Sequence, residues 1–338
     1  MNKTNTNRRY TSLALLVFSF ILVLTACNSG GNSVAKDTNS SAVNASRTND
    51  SQVKDSDEGT QSPSDYPNAH LLADVSWVAE HLNDPAVVII DARSKGYEEG
   101  HIPGAVSLSS GQLNDSDNEI AGFILPEDKY TEVVQNAGVN QDSTIVVYDD
   151  GNALSATRVF YTLEYYGLQD QVKVLNGGYA AWLTEGHDID IDPAAPEKGN
   201  FVAKANENLV STKAQVEQAI GTADVVFLDT RSAEEYEGTD LRENQRGGHL
   251  PGAVHKEWTT AVAENEEGLE KFLSYEQLKQ QFEAIGVVED KTVIPYCQTN
   301  VRGSHSYFSL RLLGYSDIRP YEGSWAEWGN SADTDIEI

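Results

Sequence analysis

The sequence predicts an α/β protein of two consecutive domains, each a central parallel β-sheet flanked by helices. Three observations predict it. Short β-branched apolar runs alternate with helix-patterned stretches, as strands joined by helical crossovers require. The whole pattern then recurs, so the two halves are copies of one unit. A chain of 338 residues, 39% of them hydrophobic, is long enough for two cores.

The matching segments fall in the same order in each half. "VVIIDARSKGYEEGHIPGAVSL" (Val87 to Leu108) pairs with "VVFLDTRSAEEYEG" (Val225 to Gly238), an insertion, and "GGHLPGAVHKEW" (Gly247 to Trp258). "TIVVYDDGNALSATRVFYTLEYYG" (Thr144 to Gly167) pairs with "TVIPYCQTNVRGSHSYFSLRLLG" (Thr292 to Gly314). "VKVLNGGYAAWLTEG" from Val172 pairs with "IRPYEGSWAEWGN" from Ile318. Val225 to Leu228 and Thr292 to Ile294 read as buried strands. A helix follows from about Val301 to Leu313, with Gly314 as its stop. The Asp- and Pro-rich stretch after Asp188 separates the copies. The expected boundaries are 66–190 for the first domain, 191–208 for a linker and 209–332 for the second.

The charge balance is acidic, with 52 Asp and Glu against 24 Lys and Arg and a net charge of -28. Such a surface repels nucleic acid and anionic lipid. Any site for a small anion must therefore be electropositive locally.

The chain has two cysteines, Cys27 and Cys297. Cys27 ends a positively charged start (Lys3, Arg8, Arg9), an apolar run from Thr11 to Ala26, and the small-residue tetrad Leu24-Thr25-Ala26-Cys27. The run is too short for a spanning helix and reads as a signal peptide over 1–27. The tetrad resembles the bacterial lipobox, which implies lipidation of Cys27 and a membrane-anchored, extracytoplasmic protein; an ordinary signal or an uncleaved anchor is the alternative. Residues 28–65, rich in Ser, Asn, Asp and Thr, read as a solvated tether with a reach of roughly 35 Å. With Cys27 lipidated, Cys297 is a free thiol that needs a reason.

The duplication acts as an internal control. Asp91 with His101 recurs as Asp229 with His249, so this pairing reads as structural, pinning a turn. His255 and His305 lack ligand spacing, and no metal site or cofactor is indicated. The copies differ at one point: Tyr296-Cys297 in the second replaces Tyr148-Asp149 in the first, where the following loop is also longer. The first copy is expected to be inert.

Cys297 sits at a strand end just before a helix, where backbone N–H groups lack intrahelical partners and favour a thiolate. Arg302, five residues on, can turn back and add positive charge. Asn300 stands where the loop needs a left-handed backbone. Thr299 offers a hydroxyl, and Gln298 to Arg302, through Val301, supply the amides of an anion cradle.

The D-x-R … G-H-[IL]-P-G-A element (Asp229, Arg231, His249 to Ala253) and Tyr296-Cys297-Gln298-Thr299-x-x-Arg302-Gly303-Ser304 resemble the two-domain rhodaneses, the thiosulfate sulfurtransferases. The resemblance implies a rhodanese fold in each half, with a parallel sheet of about five strands and a catalytic second domain. It further implies that Cys297 takes the outer sulfur of thiosulfate as a persulfide and passes it to cyanide or a thiol. The partners are then a small anionic donor and a nucleophilic acceptor, with the chain a monomer. Two departures stand out. Many family loops have Gly at the place of Asn300. A further substrate-side arginine found in two-domain members is replaced by the acidic Ala233-Glu234-Glu235; Arg246 in the insertion is the candidate substitute, and Arg231 a lesser one because its twin Arg93 lies in the inert copy. The alternatives are a 3-mercaptopyruvate donor, a persulfide carrier or redox sensor, and phosphatase-like chemistry. The last is disfavoured by the four-residue Cys297–Arg302 spacing, one short of that family's loop.

Overall fold

The computed structural model describes residues 65–338. The expected signal peptide through Cys27 and all but the last residue of the expected tether lie outside them.

The first copy runs β1 (Leu72–Ala73), α1 (Val75–His81), β2 (Val87–Asp91), β3 (Val106–Ser107), α2 (Glu127–Asn136), β4 (Thr144–Tyr148), α3 (Leu154–Tyr165), β5 (Val172–Leu175) and α4 (Gly178–Thr184). Its sheet is wholly parallel in the order β1-β5-β4-β2-β3. The second copy runs α5 (Lys213–Ala219), β6 (Val225–Asp229), α6 (Ala233–Tyr236), β7 (Val254–His255), β8 (Val262–Glu264), β9 (Glu270–Phe272), α7 (Tyr275–Glu283), β10 (Thr292–Tyr296), α8 (Val301–Leu312) and α9 (Ser324–Trp328). Here β10-β6-β7 form the parallel sheet, and β8-β9 is an added antiparallel hairpin.

The register repeats between copies: Asp91 lies opposite Tyr148, as Asp229 lies opposite Tyr296. The five strands implied by the resemblance are complete only in the first copy. In the second, the outer two survive as single bridges, Val293 to Ile318 and Ser211 to Tyr321. Proline explains the break. Pro295 has no N–H to continue the ladder, and the Arg319 carbonyl takes the Ser211 hydroxyl instead, at 2.9 Å.

The Asp/His recurrence is structural, but its members do not pair with each other. Arg93 folds back onto Asp91 at 2.6–3.0 Å and donates to the Gly100 carbonyl. Arg231 repeats this on Asp229 and Gly248. The guanidiniums then cap an aromatic ring, Tyr179 at 4.0 Å in one copy and Trp325 at 4.4 Å in the other. The histidines stack instead on their own copy's tyrosine, His101 on Tyr97 and His249 on Tyr236. The arginine two residues along the same strand end reaches the carboxylate first, with a bidentate geometry that imidazole cannot match.

The copies pack through α3 and α8. Phe160 meets Phe308 and Tyr161 meets Tyr307, with ring centroids 4.7 and 5.1 Å apart. Glu164 crosses to Arg311 at 3.1 Å and accepts the Tyr307 hydroxyl. The main hydrophobic core runs through both copies.

Candidate active site

Cys297 directly follows β10, at the carboxyl end of the sheet, and is 1% exposed. The chain turns over Gln298 and Thr299 into Asn300, which is left-handed at φ 57 and ψ 12, and α8 begins at Val301. The start of α9 fixes the loop from outside: Trp325 N–H donates to the Cys297 carbonyl and Ala326 N–H to that of Gln298, each at 2.9 Å. With those carbonyls drawn to α9, the later N–H groups of the loop are free to face the interior, while the Cys297 N–H donates to Ser324 Oγ at 3.3 Å.

The first copy shows what such a loop holds. Its left-handed residue is Ala153, at φ 64. The Asp149 carboxylate accepts four amides: Gly151 and Ala153 at 3.0 Å, Ser155 at 2.9 Å and Ala156 at 3.2 Å. Burial pushes the pKa of this carboxyl up while those amides oppose the shift. Tyr179 and Ala180 N–H groups hold the Asp149 and Asp150 carbonyls, matching the arrangement at α9. Ala153 stands four residues after Asp149, and Asn300 three after Cys297, so the first copy's loop is one residue longer. Counted from the left-handed residue, Ser155 and Ala156 correspond to Arg302 and Gly303, whose amides open α8 without an intrahelical acceptor.

Arg302 points back to the loop. Burial alone would lower its pKa, but bonding to Glu235 and the nearby Cys297 sulfur raise it, so the guanidinium stays charged. The Glu235 grip is bidentate, at 2.6 and 2.9 Å. The acidic Ala233-Glu234-Glu235 stretch, which reads as a lost substrate arginine, is thus the anchor of the loop's own arginine. Glu235 is the third residue of α6, in a capping box with Ser232. That Ser-x-x-Glu signal was present in the sequence; its partner was not.

Four expected contacts come out differently. Arg246 does not serve as the substitute arginine. Its guanidinium donates to the carbonyls of Trp328 at 2.8 Å, Gly329 at 3.3 Å and Thr334 at 2.7 Å, and also meets the Ser331 carbonyl and Thr334 Oγ1. Those donors pin the chain's last turn and leave no fork for a substrate. Arg231, 1% exposed, is committed to Asp229 as described. The Gln298 side chain turns away to a reciprocal amide pair with Asn244 of the insertion, at 2.9 and 3.0 Å. Thr299 packs its Cβ, Cα and carbonyl against Gly122 of the first copy.

The insertion supplies a different arginine. Arg242 lies 3.9 Å from Glu235, with a side chain 52% exposed. Both Arg242 and Glu243 have positive φ, 42° and 68°, a strained pair that sets the direction of the turn. Nothing in the sequence marked it above Arg246. Behind the loop, His305 is buried beside Trp258 and Phe272, and burial brings its pKa down to about 3. Burial likewise brings Lys256 down to about 8.

Comparison with known proteins fits this geometry. The rhodanese-like domain family matches residues 74–185 and again 212–331. The chain belongs to the rhodanese family. Among curated relatives, the sulfur carrier protein TtuD of Thermus thermophilus is 34% identical over 78% of this chain and 95% of its own. The thiosulfate sulfurtransferase of Azotobacter vinelandii is 30% identical over 81% of this chain and 99% of its own. The crystal structure of the rhodanese-fold SseA from Escherichia coli, a 3-mercaptopyruvate sulfotransferase by its description, superposes with a TM-score of 0.68 at 29% identity, covering 75% of this chain and 98% of that one. Sulfur transfer is the chemistry these rhodanese relatives share, and their names divide on donor and role.

Proposed function

We propose that the chain transfers the outer sulfur of thiosulfate to a small nucleophile through a persulfide on Cys297. The observation that carries the reading is the pair of cradles: four amides close on a fixed carboxylate in one copy, and the matching loop of the other presents a sulfur beside Arg302. The Cys297 thiolate attacks the outer sulfur, the sulfur–sulfur bond of thiosulfate breaks, and sulfite leaves with the bonding pair. Loop amides and Arg302 hold the negative outer sulfur. Cyanide or a thiolate then attacks that sulfur, and the Cys297 thiolate is the leaving group. With Cys297 1% exposed, only a small donor and acceptor approach readily. That favours turnover over a carrier that hands sulfur to a protein.

A 3-mercaptopyruvate donor is the second reading, supported by the likeness to SseA. Gln298, turned to Asn244, does not separate the two donors, so the preference for thiosulfate, a doubly charged anion, rests on the cationic Arg302 at the Cys297 sulfur, with Arg242 beside it against Glu235. The test is thiocyanate formation from cyanide with each donor, beside Cys297→Ser. Turnover with thiosulfate that vanishes in the variant supports the reading. Turnover with 3-mercaptopyruvate alone would replace the donor. No turnover, with no gain of one sulfur in intact mass, would overturn it.

The leader motif supports anchoring through lipid on Cys27 at the outer face of a bacterial membrane. Mass spectrometry of the mature N-terminus tests this: an unmodified terminus would reject the anchor.

A further inference from the structure

The copy without a nucleophile reaches into the loop of the copy that has one. Arg158, on α3, is fully buried, and by position its twin is His305 on α8. Its guanidinium crosses the interface to Glu322, at 2.8 Å through Nη2 and 3.4 Å through Nη1. The other Glu322 bond comes from Asn300, whose Nδ2 donates to Oε2 at 2.8 Å. Asn300 is the left-handed residue on which the cradle turns. Ser304, 3.4 Å from Arg158 Nη1, donates its hydroxyl to the Asn300 carbonyl at 2.6 Å.

A second contact arrives from the same guanidinium. Nη2 donates to the Gly122 carbonyl at 2.6 Å. Gly122 has φ +96, and a Cβ there would lie 2.6 Å from Thr299 Cβ and 2.7 Å from the Thr299 carbonyl. Only glycine allows this approach, so the backbone of the first copy forms the wall behind Thr299. Arg158 therefore holds the two groups that brace successive residues of the cysteine loop.

We infer that Arg158 is a positioning residue for the reactive loop of the other copy, holding Asn300 and Thr299 in the conformation that directs the loop amides at the Cys297 sulfur. The charge of Arg158 also reaches that sulfur. The first copy thus acts as the back half of the cradle. The inference rests on Cys297 being a reactive thiol, and not on the identity of the donor.

Glu164 and Arg311 make a second ion pair across the same interface, bonded to none of the loop residues. It serves as the control for a role limited to joining the copies. The reactivity of Cys297 in the full chain toward methyl methanethiosulfonate, a small neutral reagent, is measured against pH. The variants are Arg158→Lys, Arg158→Met with Glu322→Gln, and Arg311→Met. The double variant leaves no lone buried carboxylate, so it keeps the test open if Arg158→Met alone does not fold.

In the double variant, with Asn300 and Thr299 no longer braced, the reactivity of Cys297 near neutrality should fall about tenfold. Lysine should keep most of the wild-type reactivity, and Arg311→Met should leave it in place even if melting falls. Unchanged reactivity in the folded double variant, or an equal fall in Arg311→Met, would overturn the inference. Such a fall in a protein that does not use thiosulfate would reject the donor and leave the inference standing.

Discussion

Arg302 and Glu235 close on each other through two hydrogen bonds, of 2.6 and 2.9 Å, across 67 residues of chain. The pair joins the first turn of α8 to the first turn of α6 and aims a guanidinium at the cysteine loop. Glu235 is fully buried, and although burial opposes it, Arg302 and Arg242 hold its carboxyl below the usual carboxylate range.

Glu235→Gln should therefore lower stability by about 3 kcal/mol in urea unfolding, because it strands a largely buried cation. The sign with pH follows from the depressed carboxyl. Its contribution is present above the unfolded carboxylate range and is lost as pH falls through the lower folded value. The glutamine variant should lose less stability on acidification than the parent, and equal acid slopes would contradict the pair's role.

His305 gives the opposite kind of linkage. Its pKa falls from 6.5 unfolded to about 3 folded, chiefly through burial, with Lys256 adding to the effect. Between those values the unfolded chain binds a proton that the folded chain refuses, so stability drops as pH falls, by about 1.4 kcal/mol per pH unit at most. His305→Phe should flatten the denaturation midpoint between pH 6 and pH 4. A slope unchanged by the substitution would place the proton elsewhere.

Asp149→Ala removes the acceptor of four amides at the start of α3. Unfolding should become easier by about 2–3 kcal/mol, since buried donors lose their partner. Turnover by the folded protein should stay within a factor of about two, because the substitution leaves the second loop's contacts intact. A large loss of kcat at full folding would give Asp149 a part in the reaction.

Arg242 is half exposed and lies 3.9 Å from a carboxylate already gripped by Arg302. Arg242→Ala should raise KM for thiosulfate roughly threefold to tenfold while leaving kcat and melting nearly unchanged, and the difference should shrink with added salt. The same substitution made at Arg246 should act on melting instead, since that guanidinium ties down the last turn of the chain.

Much of the fold was legible because it is written twice. The strand ends at Asp91 and Asp229, the stop at Gly314 and the left-handed Asn300 are local features, set by residues within a turn of each other. Cys297 stood out because its twin is a carboxylate. Pairings made at a distance were not legible. Arg246 and Arg302 are both arginines near glycines and a loop, and only the folded chain shows one spent on the carbonyls of residues 328–334 and the other on Glu235. Arg158 lay hidden for a related reason: its work is done in the other copy, where no local pattern of α3 could announce it.

The carboxylate of Asp149 gives the first loop a permanent anion, built in with the backbone. By the same reading, the second loop receives the outer sulfur its amides are built around only when Cys297 is loaded. By the proposed chemistry the two halves therefore differ in timing: one is complete when it leaves the ribosome, and the other completes itself once per turnover. Folding and catalytic state are then thermodynamically coupled through the second loop. The sulfur-loaded protein should melt higher than the resting one, and the gain should be confined to the segments around β10 and α8.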